Sequence, residues 1–172
     1  MDIGVPKEQR ADEFRVGLTP AGVELLTHSG HACYVEKDAG RGAGFSDLDY
    51  ERAGGRIVYS AHELYGRSGL VLKVGRPTAE EVDLLREGCT LMGFLHLAVS
   101  RRERVQMLLR KKITAIAYEL IQDDHGLLPV QVPLSQAAGR MAPQIAATML
   151  QNHHGAKESS WVEYPVYPPR KS

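Results

Sequence analysis

The chain has 172 residues, 43% of them apolar, which suits one domain with a buried core and something appended. Its 21 basic and 21 acidic side chains cancel, so no overall field gathers nucleic acid, an anionic membrane or an acidic ligand, and charge chemistry must be local. Cys33 and Cys89 stand alone, which argues against a zinc site or a disulfide framework; with no signal-like or membrane-spanning apolar run, the cytoplasm is the expected compartment.

In chain order, a first strand is expected at 2–5 (DIGV), followed by the polar loop PKEQRADEFRVGL. Thr19-Pro20 then reads as an N-cap with proline at the first helical position, and Gly30 closes that helix. A second strand at 32–36 (ACYVE) leads to the glycine run AGRGAGFSD (39–47). The run has G-x-G-x-G spacing rather than G-x-G-x-x-G and reads as a flexible loop, not a dinucleotide site. Strands at 56–59, 69–74 (GLVLKV), 89–98 (CTLMGFLHLA) and 113–118 follow. Ser60 to Glu63, Thr78 to Glu81 and Ser100 to Glu103 each match the capping box, in which hydroxyl and carboxylate satisfy each other's free amides. In the basic run RRERVQMLLRKK (101–112), Val105, Leu108 and Leu109 read as an apolar stripe with the charges on a solvated face. The segment 119–134 suggests a turn and a short extended piece, and a last helix begins near Ser135.

The later strands are continuously apolar, as in a parallel sheet covered on both faces. The expected fold is therefore α/β, a doubly wound, mainly parallel sheet with helices on both faces. The expected organisation is a domain over 1–134, a helix over 135–152, and an extended Pro/Tyr-rich tail over 153–172.

In such a sheet ligands bind beyond the carboxyl ends of the strands. That edge collects Lys7 and Arg15 after the first strand, Lys73, Gly75 and Arg76 after the fourth, and His96 at the end of the fifth. Arg15 has the two-pronged guanidinium that holds a carboxylate, and His96 titrates near neutrality and is able to pass a proton. The alternative is a solvated loop arginine and a core histidine bonded to a backbone carbonyl. His28-x-x-His31 and His153-His154 lack further ligands, so no metal is expected. Ser135 has no nucleophile elbow around it and suits an N-cap.

The stretches IGVPKEQRADEFRVGLTPAGVELL, GHACYVEKDAGRGAGFSDLDYERAGGRIV, FLHLA and TAIAYELIQDDHGLLPVQVPLSQAAGRMA together resemble the N-terminal domain of alanine dehydrogenases, which is shared with the proton-translocating nicotinamide nucleotide transhydrogenases. The resemblance covers roughly residues 1–150. It implies a substrate domain of enzymes that interconvert alanine with pyruvate and ammonia using NAD. By resemblance, Arg15 is the carboxylate-binding arginine and His96 the histidine at the reacting centre. Phe94 is an aromatic pocket position, and Leu134 with Ser135 stand where the family has Met-Ser near the nicotinamide. The family motif K-V-K-x-P reads K-V-G-R-P here: Lys73 matches the first lysine, and Gly75 replaces the second, catalytic one.

The family's Rossmann G-x-G-x-x-G loop is not found in these residues, so no cofactor is expected on this chain alone, and NAD only where a partner supplies a Rossmann domain. The expected function is a stand-alone domain without catalysis of its own, binding a small carboxylate or acting as an interaction module. The alternative is the substrate subunit of a split alanine dehydrogenase or transhydrogenase. The stripe Leu134, Ala138, Met141, Ile145, Met149 leads us to expect a homo-oligomer or a Rossmann partner.

Overall fold

The computed structural model describes residues 1–151. They hold one six-stranded sheet, entirely parallel: β1 (Asp2–Val5), β2 (Ala32–Glu36), β3 (Arg56–Val58), β4 (Leu70–Gly75), β5 (Thr90–Phe94) and β6 (Thr114–Ala117). The spatial order is β3-β2-β1-β4-β5-β6, so the winding reverses between β1 and β4. At such a switch point the connections leave in opposite directions and open a crevice beyond the strand ends. Ile3 stands beside Leu70 and Gly4 beside Val71, which brings the loop after β1 next to the end of β4.

Alternation along β4 builds both faces of the core. Val71 joins Leu64, Tyr65, Val82, Leu91 and Leu95 on one side. Leu72 joins Ile3, Val5, Val23, Val35 and Tyr50 on the other. Helix α1 (Pro20–His28) and helix α2 (Asp47–Arg52) supply Val23 and Tyr50 to the second cluster, whereas α3 (Ala61–Arg67), α4 (Ala79–Leu84) and α5 (Arg102–Arg110) supply Leu64, Val82 and Leu108 to the first. The expected doubly wound α/β architecture is what the chain adopts.

Three helix starts follow the sequence. Thr19 accepts from the Gly22 amide, Ser60 from the Glu63 amide, and Thr78 with Glu81 forms the reciprocal box. The fourth does not: α5 starts at Arg102 without a side-chain cap, and the Ser100 hydroxyl is buried with no partner. The cause lies upstream. β5 ends at Phe94 rather than running to residue 98, because His96 adopts a left-handed conformation (φ 46°) and a 3-10 turn occupies Leu97–Val99. A short helix, α2, escaped the sequence reading; its start is a Ser46–Asp49 capping box, with aspartate where glutamate is usual.

Helix α6 spans Val132–Met149. It begins earlier than Ser135, with Pro133 in its first turn, so Ser135 is not an N-cap: its amide donates to the Gln131 carbonyl at 3.0 Å. Of its apolar stripe, Leu134, Met141, Ile145 and Met149 are exposed. No helix among the described residues is long and apolar enough to cross a membrane. The tail from residue 153, with His153 and His154, lies outside the described residues.

Candidate functional site

At the switch point the strand ends are held by buried charge. Lys73 faces inward from β4 with a side chain 1% exposed, its Nζ 2.6 Å from Glu81 Oε1 and 3.2 Å from Glu8 Oε2. The rest of each carboxylate is also occupied. Glu81 Oε2 accepts from the Thr78 amide at 2.8 Å, Tyr65 donates its hydroxyl to Glu81 Oε1 at 3.0 Å, and Glu8 Oε1 accepts from the Val74 amide at 2.7 Å. Burial, and then the Glu81 charge, push the Tyr65 phenol far above its ordinary range. Lys73 is thus a strut between β4, α4 and the loop after β1, sealed from any ligand.

Glu36, at the end of β2, accepts from the Lys7 amide at 2.9 Å. Its pKa is raised, chiefly by burial; the Lys7 amide hydrogen bond opposes this, the Glu81 charge adds to it, and the Lys7 and Lys73 charges oppose it less. A raised carboxyl makes stability fall as pH rises from the unfolded value near ~4.3 through the folded one, because the folded state must give up a proton it prefers to keep. Glu36→Gln keeps the acceptor and has no proton to lose. Its stability relative to the parent is expected to be unchanged below about pH 4 and to increase toward neutrality, as read by urea midpoints across pH. A constant difference from pH 4 to 8 would exclude Glu36 as the titrating group.

The loop after β1 carries Arg15, whose guanidinium lies half-exposed and paired with Glu13: Nε and Nη2 donate to its two oxygens at 2.7 and 2.6 Å. The hydrogen bond from Arg15 holds the Glu13 carboxyl below the usual range. One edge of the fork is therefore taken, and Nη1 makes no hydrogen bond among the described residues. The pair orients the guanidinium while leaving its end able to meet a carboxylate.

The end of β5 forms a second group. Phe94 stacks on His96 with ring centroids 6.3 Å apart and packs edge-on against Tyr118 at 5.5 Å. The His96 amide donates to Glu119 Oε1 at 2.6 Å, and its Nδ1 lies 3.8 Å from the same oxygen. Glu119 Oε2 is buried without a partner. A half-exposed imidazole beside a carboxylate and an aromatic ring is able to donate or accept a proton at a ligand's reacting atom, and this arrangement differs from a core histidine bonded to a carbonyl. Its left-handed backbone is a sparsely populated conformation, held by the Glu119 contact.

Arg15 and His96 thus share one sheet edge, Arg15 beyond β1 and His96 beyond β5, without touching each other. Leu134 and Ser135 lie exposed on the first turn of α6.

Gly75 ends β4 between these groups. A Cβ there would meet Arg10 Cδ at 3.5 Å, and Arg10 Nε and Glu8 Oε2 at 3.7 Å, ordinary contacts that leave room for a side chain. Arg10 reaches across this gap and donates Nε to the Arg76 carbonyl at 3.4 Å. Arg104 also differs from expectation. The inward face of α5 is defined by Leu108, whereas Leu109 is 71% exposed, so Arg104, one turn before Leu108, is half-buried, with its Nε out of contact with solvent. Neither Arg10 nor Arg104 had a signal in the sequence, because local spacing says nothing of a contact made 66 residues away.

The remaining candidates are structural. The 39–47 run is a close-packed turn rather than an open loop: a Cβ at Gly40 would fall 2.6 Å from the Tyr50 ring, and one at Gly42 2.9 Å from the Phe14 carbonyl. His28 Nδ1 lies 2.7 Å from the Glu24 carbonyl and His31 Nδ1 3.5 Å from the terminal amine.

A profile of the family described as "Alanine dehydrogenase/PNT, N-terminal domain" matches residues 4–138. An alanine dehydrogenase of Bilophila wadsworthia is 44% identical over 155 residues, 90% of this chain and 41% of that protein. One from Geobacillus stearothermophilus is 42% identical over 157 residues, 91% and 42% of the two chains. Among solved structures, an L-alanine dehydrogenase superposes with a TM-score of 0.83 at 42% identity, over 90% of this chain and 42% of that one. A transhydrogenase from Sinorhizobium meliloti gives 0.65 at 28%, over 70% and 34%. The chain spans about two fifths of the length of the curated relatives it matches.

Proposed function

The chain belongs to the alanine dehydrogenase/transhydrogenase N-terminal domain family, and from that premise we propose that it binds a small carboxylate at the β1/β4 switch point without carrying out redox chemistry of its own. The observation that carries this is Gly75. The strand end that the family motif fills with a catalytic lysine has no side chain here, and Lys73 two residues earlier is locked between Glu8 and Glu81. Arg76 does not replace it simply, since neighbouring residues at a strand end point to opposite faces. Gly40 and Gly42 pack against Tyr50 and Phe14, so the space a pyrophosphate would need beside them is filled by protein.

In this reading Arg15 anchors the carboxylate with its free end, and the half-exposed His96, held by Glu119, meets the ligand from the end of β5. One charge-assisted anchor in a site open to water gives about millimolar affinity. A second reading, the substrate subunit of a split dehydrogenase, is favoured by one observation: Arg15 and His96 stand together on the ligand edge, oriented by Glu13 and Glu119.

The test is direct. The 172-residue chain is expected to give no stoichiometric micromolar binding of NAD by calorimetry and no alanine-dependent NAD reduction, while pyruvate shifts NMR resonances of the Arg15 loop. Gly75→Lys has room to fold and is expected to restore no activity unless a Rossmann polypeptide is added. Micromolar NAD binding by the chain alone would overturn the first reading, and failure of Arg15→Ala to weaken pyruvate binding would remove the anchor.

A further inference from the structure

Arginines gather at the strand ends around Gly75, where the nearest carboxylate, Glu8, is held by Lys73. Arg10 crosses the gap and bonds the Arg76 carbonyl; Arg76 follows β4 directly; Arg101 and Arg104 belong to the start of α5, which follows β5. Among the described residues none of the four forms an ion pair with a carboxylate, although Arg15, Arg67, Lys73 and Lys112 all do. Arg104 Nε is buried with no hydrogen-bond partner. Burial first, and then Arg76, Arg10 and Arg101, lower the Arg104 pKa. Each feature is unfavourable by itself. A buried donor without a partner loses its hydration, like charges repel, and Arg101 and Arg102 at the start of a nine-residue helix oppose its dipole, with Glu103 alone acting the other way in that turn. An anion bound among them offsets all three.

We propose that this edge binds a small acid with two anionic groups, one carboxylate on Arg15 and the second group on the Arg10–Arg76–Arg104 cluster. The inference rests on the carboxylate-binding reading above and narrows its ligand class. A single carboxylate needs one guanidinium fork, which Arg15 supplies. The further cations, one of them with a buried and unused Nε, suit a second charge. Gly75 leaves that charge room, since the space beyond its Cα is bordered by Arg10 and Glu8 and a ligand replaces no side chain there. The second group is either another carboxylate or a phosphate, which have in common two or more oxygens for paired N–H donors.

The experiment titrates the full chain, at constant ionic strength, with pyruvate, malonate and 2-phosphoglycolate. At least one of the two-group acids is expected to bind about tenfold or more tighter than pyruvate. Preference for malonate identifies a dicarboxylate ligand, and preference for 2-phosphoglycolate a phosphorylated one. Arg104→Gln, and separately the exposed Arg10→Gln, which is free of any packing role in the core, should each erase most of that preference while leaving pyruvate affinity within about twofold. Equal affinities for all three acids would overturn the proposal alone, as would a preference surviving both substitutions. Absence of binding by any of them would overturn the carboxylate reading with it.

Discussion

Lys73→Met is expected to destabilise the domain by about 3–5 kcal/mol, the cost of leaving buried charges without their partner. Among the described residues Nζ is the only cation bonded to Glu8 and Glu81, whose side chains are also buried, so its removal leaves two carboxylates in a low-dielectric interior. Neither relaxes easily. Glu81 is fixed by the Thr78 amide and the Tyr65 hydroxyl, and Glu8 by the Val74 amide. Against a total stability of about 5–15 kcal/mol, the loss is a large share. The urea midpoint should fall with little change in slope. Adding Glu81→Gln and Glu8→Gln to Lys73→Met should recover much of it, because the carboxylates and not the lost lysine stem carry the penalty. An unchanged midpoint in the single variant would show that water or protonation relieves the pair, and the strut would not exist.

What the sequence disclosed follows the range of each interaction. Thr19, Ser60 and Thr78 were readable as caps because hydroxyl and amide lie three residues apart, and the parallel sheet was readable because strands covered on both faces are apolar throughout. Ser100 has the same local spacing as Thr78 but does not cap, because the left-handed turn at His96 feeds the chain into α5 one residue late. That turn is set by Glu119, 23 residues away. Site residues divide in the same way. Arg15 and His96 were legible as types suited to a carboxylate and a proton at the right strand ends. The switch point between β1 and β4 was not, since strand order is not written in local pattern. Leu109 was placed with Leu108 in the apolar stripe of α5 because neighbouring leucines look alike until the sheet shows which of them is inside.

The loop that presents Arg15 depends on one position where no side chain fits. A Cβ at Gly17 would lie 2.2 Å from the Leu72 carbonyl oxygen, 2.7 Å from its carbon and 3.1 Å from the Lys73 amide nitrogen. These are main-chain atoms of β4, and Leu72 is in register with Met92 of β5 just before the shift that ends at Gly75, so the strand has little freedom to retreat. Gly17→Ala must therefore lift the loop from the sheet. Overpacking of this kind costs about 1–3 kcal/mol, and here it also displaces Glu13 and Arg15, four and two residues before the clash. The expected result is loss of both stability and carboxylate binding. Arg15→Ala, whose guanidinium is half in water, should lose binding with little change in stability. Gly66→Ala, in helix α3 with nothing within 4 Å of the added methyl, should be neutral or stabilising by about 0.5–1 kcal/mol. Thermal melts and pyruvate titrations on the three variants separate these outcomes. If Gly17→Ala melted and bound like the parent, the loop would not rest on β4 at this point, and the placement of Arg15 at the switch point would fail with it.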